Sequence, residues 1–274
     1  MYSVKRDKKE LIGEYLDDVE NLPTLPHIVL KILDKMHKPD PDIEELADLI
    51  MTDQVLTAEM IHLVNSAFWG VGREISSVKE TIVYLGLREV ETLTFSVALA
   101  NTFETQNPLL NRVKFWEHSF GCALCSRVIA EKVGFRDQEF AYLAGLLHDI
   151  GEAIMALYMP VEFEKVMEKV LEEEKTFYDA EEEELGINHT DLGAWMVERW
   201  DMVPRLASII SYHHSIDAIP EDRDLAAIVR LADLICLYHQ LDFGITDGEK
   251  LIPEIQTAWK FLCESYPDLA KESI

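Results

Sequence analysis

From Asp42 to Met51 the apolar positions Ile43, Leu46, Ala47 and Ile50 recur at steps of three and four, with Glu44, Glu45 and Asp48 between them. That spacing lays one apolar stripe along a helix. The same periodicity runs through the rest of the chain, and no stretch shows the strict alternation of a half-buried strand. Breaks at Asn21 to Pro26, Lys38 to Pro41, Gly70 to Gly72, Asn107-Pro108, Met159-Pro160, Val203-Pro204 and Ile219-Pro220 divide the pattern. They predict about a dozen helices, mostly ~10 to 20 residues long, and an all-α fold.

Every candidate ligand lies after Asn107-Pro108, whereas the chain before it is almost empty of site chemistry. The expected division is an amino-terminal helical lobe, 1–107, and a second helical lobe, 108–274, that carries the chemistry. No Ser/Gly-rich linker joins them, so a packed interface is expected. With 274 residues there is enough chain for a substantial core.

Charge narrows the partners. Against 51 acidic residues stand 25 basic ones, a formal charge of -26 that repels nucleic acid and anionic membranes at long range. The segment Ile43 to Leu63 imitates a helix-turn-helix. Yet Asp42, Glu44, Glu45, Asp48, Asp53 and Glu59 meet no lysine or arginine within it, so DNA is not the expected partner. No uninterrupted apolar run approaches ~18 residues and the charged start lacks an apolar signal core, so a cytoplasmic location off the membrane is expected. Between Val161 and Glu184 lie eleven acidic residues and three lysines, read as a solvated helix face or else a dock for a basic partner.

Cys122, Cys125, Cys236 and Cys263 read as reduced, buried thiols. Cys122 and Cys125 have C-x-x-C spacing one turn beyond His118, but a second pair is missing, and they are taken as small core residues of one helix. Phe68, Trp69, Trp116, Trp195 and Trp200 are assigned to packing.

Seven residues of the second lobe remain: His118, His148, Asp149, His189, His213, His214 and Asp233. Imidazole nitrogens with hard carboxylate oxygens suit Zn, Mn, Fe, Co or Ni better than a calcium or magnesium cage. Neighbours on a helix point ~100° apart, so His148 and Asp149 share an ion only if it sits between their directions. Gly151 would let a neighbouring backbone approach. His213 and His214 are expected to end a helix, given Ser215, Asp217 and Pro220 beyond them. Asp233 lies in a largely apolar helix, where it needs a cation or Arg230 as partner.

Their order, a His, then Leu-Leu-His-Asp-Ile-Gly, a later His, a His pair and a final Asp, resembles the HD superfamily of metal-dependent phosphohydrolases. Leu22 to Pro26, Asp53 to Thr57, Leu63 to Ser66, Val83 to Leu87, Gly193, Trp200 and Pro204 narrow the resemblance to the HDOD family of bacterial signalling proteins, over roughly Leu16 to Cys236. The resemblance implies an HD-type helical bundle with an amino-terminal lobe. It also implies two divalent transition-metal ions: His118, His148, Asp149 and Asp233 on one, and Asp149 bridging to a second held by His189 with His213 or His214. Two roles follow from it. One is a regulatory module that binds a signalling protein, and the other a phosphohydrolase of a nucleotide, cyclic dinucleotide or other phosphoester, with His148 and Asp149 catalytic. Related HD-GYP phosphodiesterases carry Lys where this chain has Glu152, and Gly-Tyr-Pro where it has only Asp217 to Pro220. Arg112, Lys114, Arg199 and Arg205 are the nearby cations in sequence.

Overall fold

In the computed structural model the described residues are 7–16, 41–65, 71–103, 107–173, 175–241 and 248–271, together with positions 22, 24, 28, 31 and 32. Phe68, Trp69, Ser66 and most of the Leu22 to Pro26 motif lie outside them. Among the described residues the regular elements are all helical. The chain divides into two compact units, 23–104 and a second made of 1–22 with 105–274. Helix α1 (Lys8–Leu16) therefore belongs with the later unit, although the sequence reading counts it with the amino-terminal lobe. Lys8 explains the attachment: its ammonium is held by Glu182 at 2.8 Å and Asp191 at 2.7 Å.

The 23–104 unit contains α2 (Ile43–Met51), α3 (Gln54–Val64), α4 (Val78–Leu85) and α5 (Leu87–Thr102). Leu46, Ile50, Leu56, Met60, Ile82 and Val90 are among its buried core residues. Asp42 and Asp53 accept from the first free N–H groups of α2 and α3, so part of this segment's acidity is helix capping. Asn65 clasps Ile75 from both sides, accepting from its N–H at 2.8 Å and donating to its carbonyl at 2.7 Å. Gly86, at φ 86°, makes the sharp turn between α4 and α5 that a side chain would strain.

In the later unit follow α6 (Arg112–Val133), α7 (Gln138–Leu147), α8 (Ile150–Tyr158), α9 (Pro160–Glu173), α10 (Phe177–Leu185), α11 (His189–Arg199), α12 (Pro204–Tyr212), α13 (Arg223–Tyr238) and α14 (Ile252–Ser265). Helix α6 packs on α7 and α13, and α11 packs on α8 and α12. These six helices surround the metal-type residues. The stretch 138–158 is long and apolar enough to cross a membrane by length and composition, although Glu139, His148, Asp149 and Glu152 interrupt it, and 83% of its apolar window is buried within the protein. It is two core helices, α7 and α8, interrupted by His148 and Asp149.

Candidate metal centre

His148 and Asp149 occupy the turn between α7 and α8, and not adjacent positions inside one helix. Asp149 takes φ -104° and ψ 14°, which frees the pair from the fixed helical divergence. His213 caps α12 and His214 follows it in the turn, as the trailing Ser215 and Pro220 suggest. His189 opens α11, whose start is fixed by a reciprocal cap between Asn188 and Asp191. His118 and Asp233 project from the interiors of α6 and α13.

All seven residues converge, and the Asp149 carboxylate stands between two groups of them. Its Oδ2 lies 2.9 Å from His148 Nε2 and 3.4 Å from His118 Nε2, while Asp233 Oδ1 is 3.4 Å from His118 Nε2 and 3.8 Å from His148 Nε2. Its Oδ1 lies 3.4 Å from His189 Nε2 and 3.5 Å from His213 Nε2. His214 Nε2 joins this second group at 3.1 Å from His189 Nε2.

The donors fit a bound cation. Nδ1 of His118, His148 and His213 lies 2.7 to 2.8 Å from the carbonyl oxygens of Leu241, Gly145 and Ile210, respectively. A neutral ring that donates there presents a bare Nε2 lone pair to the cluster. His148 Nε2 and His213 Nε2 are buried without a hydrogen-bond partner. A lone pair 2.9 Å from a carboxylate oxygen is repulsive unless a proton or metal ion intervenes. Without metal, burial disfavours the charged ring, but Asp149 outweighs it and pushes His148 up to about 9. Burial instead dominates at His213, which falls to about 4.

Asp233 also pairs with Arg230 at 2.5 Å, one of the two partners considered for it in sequence. Arg230 in turn meets Glu254. Three of the other candidate cations are held elsewhere: Lys114 by Glu117, Arg199 over the Trp195 ring, and Arg205 by Asp222.

Three residues join the cluster that sequence reasoning left out of it. Glu181, from the acidic run read as a solvated face, is 0% exposed. Its Oε2 accepts from the His189 backbone at 2.8 Å and lies 2.6 Å from His189 Nδ1, while its Oε1 is unpartnered. Glu152 is buried beside Asp149, Glu181 and His189, and burial followed by the Asp149 charge pushes its carboxyl up to about 8. Cys122 lies in the first donor group, not merely in the core. The i, i+4 spacing from His118 to Cys122 was the available signal; for Glu181 there was none, because the run 181–184 is four identical glutamates.

The geometry agrees with the comparisons. An HDOD domain matches residues 22–216. An HDOD domain protein with unknown function from Geobacter sulfurreducens is 37% identical, with 94% of this chain and 88% of that one covered, at a TM-score of 0.83. A protein from Shewanella amazonensis SB2B, provisionally named a phosphohydrolase, shares the fold at a TM-score of 0.73 and 21% identity, with 93% of each chain covered. An uncharacterized protein of Treponema pallidum (strain Nichols) is 24% identical over 235 residues, which span 84% of this chain but only 45% of that protein. The chain thus spans about half the length of that curated relative. A domain match over most of the chain, on an all-helical scaffold that buries a His/Asp cluster, makes this protein a member of the HDOD family.

Proposed function

We propose that this chain is a cytoplasmic regulatory module of signal transduction, in which a two-ion metal centre holds the later unit in shape while the protein binds a signalling partner. The observation that carries the two-ion reading is the position of Asp149, whose two oxygens face separate imidazole groups. His118, His148, Asp149 and Asp233 would hold one ion, and Asp149, His189, His213 and His214 the other. Divalent ions supply the positive charge that balances Asp149, Glu181 and Asp233, of which Arg230 offsets only part. When bound, such ions can polarise a phosphoryl oxygen and acidify water.

Hydrolysis of a phosphoester or cyclic dinucleotide is the second reading, favoured by the complete donor set. Glu152 counts against it. Its carboxyl, buried beside Asp149 and His189 and pushed up to about 8, is largely neutral at pH 7 and offers an anionic substrate no positive charge where a Lys would. The metal-loaded protein is therefore expected to turn over none of a panel of phosphomonoesters, nucleotides and cyclic dinucleotides. Chelation is expected to lower its melting temperature by ~5–10 °C, because ions bound only in the folded state stabilise it. Metal-dependent turnover would transfer the assignment to the hydrolase, and a metal content below about a tenth of an equivalent after reconstitution would end both readings.

Glu152→Lys tests the same wall from the other side. Replacing it adds one charged hydrogen bond of ~1.5–3 kcal/mol, so inorganic phosphate should bind the metal-loaded variant ~10- to 100-fold more tightly in calorimetry. Equal phosphate affinity, with metal retained, would show that Glu152 does not guard the approach.

A further inference from the structure

Cys122 follows His118 by one helical turn on α6 and is 0% exposed. Its Sγ lies 3.4 Å from His118 Nε2. Donor atoms of Cys122, His118, His148 and Asp233 all lie within 4.8 Å of one another. A hydrogen bond from the thiol to His118 is the simplest account of that contact. It leaves the group unsatisfied, because one S–H hydrogen cannot serve the lone pairs of both imidazoles, and His148 Nε2 is buried without a partner. A cation among the four atoms serves all of them.

We infer that Cys122 is a thiolate ligand of the first ion, added to His118, His148, Asp233 and the Asp149 oxygen that faces them. This rests on the metal reading above. On binding, the S–H bond breaks, sulfur keeps the electron pair and shares it with the cation, and the proton leaves to solvent. No electron is transferred. Sulfur makes this position softer than the second one, whose donors are nitrogen and oxygen, so the first position selects Zn, Co or Fe over Mn or Mg.

Cobalt(II) reports a sulfur ligand directly, through an intense thiolate-to-metal charge-transfer band in the near ultraviolet. The protein loaded with Co(II) is expected to show the band, Cys122→Ser to lose it, and Cys125→Ser and Cys236→Ser to keep it. Zinc affinity should fall at least ~10-fold in Cys122→Ser, with manganese affinity changed less than about twofold. X-ray absorption of the zinc-loaded parent needs no variant and should show a sulfur shell at ~2.3 Å. Bound cobalt without the band, a band that survives Cys122→Ser, or zinc bound by nitrogen and oxygen alone overturns the thiolate while leaving the metal centre intact. Failure of the parent to bind cobalt or zinc overturns the metal centre itself, and the thiolate with it.

Discussion

Asp149→Ala is expected to leave the protein close to metal-free, whereas His189→Ala keeps about one equivalent of a parental two. The asymmetry follows from the carboxylate's place. Asp149 Oδ2 faces His118 and His148 while Oδ1 faces His189 and His213, so one substitution removes an oxygen from each donor group. His189 touches only the second group, and its other nitrogen is occupied by Glu181. Its loss takes a single donor from one ion and strands a buried carboxylate, while His118, His148 and Asp233 keep their arrangement. Elemental analysis after reconstitution and desalting reads the result. A parent with one equivalent that His189→Ala does not change would sink the two-ion reading and make His189 a hydrogen-bonded histidine paired to Glu181.

Gly151→Ala is expected to cost ~3 kcal/mol or more and to lower the melting temperature by ~6–12 °C. A Cβ at this position would fall 1.9 Å from the His189 carbonyl oxygen and 2.7 Å from its Cα. Both are backbone atoms at the start of α11, which cannot rotate away as a flexible side chain would. Relief requires α8 and α11 to separate, and that moves His189 away from Asp149. Metal should therefore be lost from the second position before the first. Thermal unfolding with and without chelator separates the two effects: the penalty to the metal-free protein persists, and the stabilisation by metal shrinks. An Ala variant with parental stability and full metal content would show that the crossing is not this tight.

Short-range signals were legible because they depend on neighbours in the chain. The 3-4 spacing of Ile43, Leu46, Ala47 and Ile50 gives a helix wherever it occurs, and Asp42 caps it through N–H groups only two and three residues away. The end of α12 at His213 was visible in the same way, and Gly151 marked a close approach without naming what approaches. The ligand types stood out in the second half of the chain, since a histidine or aspartate in an apolar segment needs a reason to be there.

Grouping was not legible from periodicity or spacing, and only the resemblance to the HD superfamily implied it. His118, His148, His189, His213 and Asp233 come from positions spread over more than a hundred residues, and which donors share an ion depends on how their helices cross. The turn that lets His148 and Asp149 converge is set by packing on either side of it. Tertiary structure also decided which ordinary residues matter: Glu181 among four consecutive glutamates, Cys122 among small helical residues, and Glu152 buried and pushed up to about 8. The sequence by itself determined the helices and the stock of donors, because periodicity and capping act over a few residues. Only the packed chain decided which donors face one another, because burial, carboxylate proximity and orphaned lone pairs are properties of segments far apart in sequence and close in space.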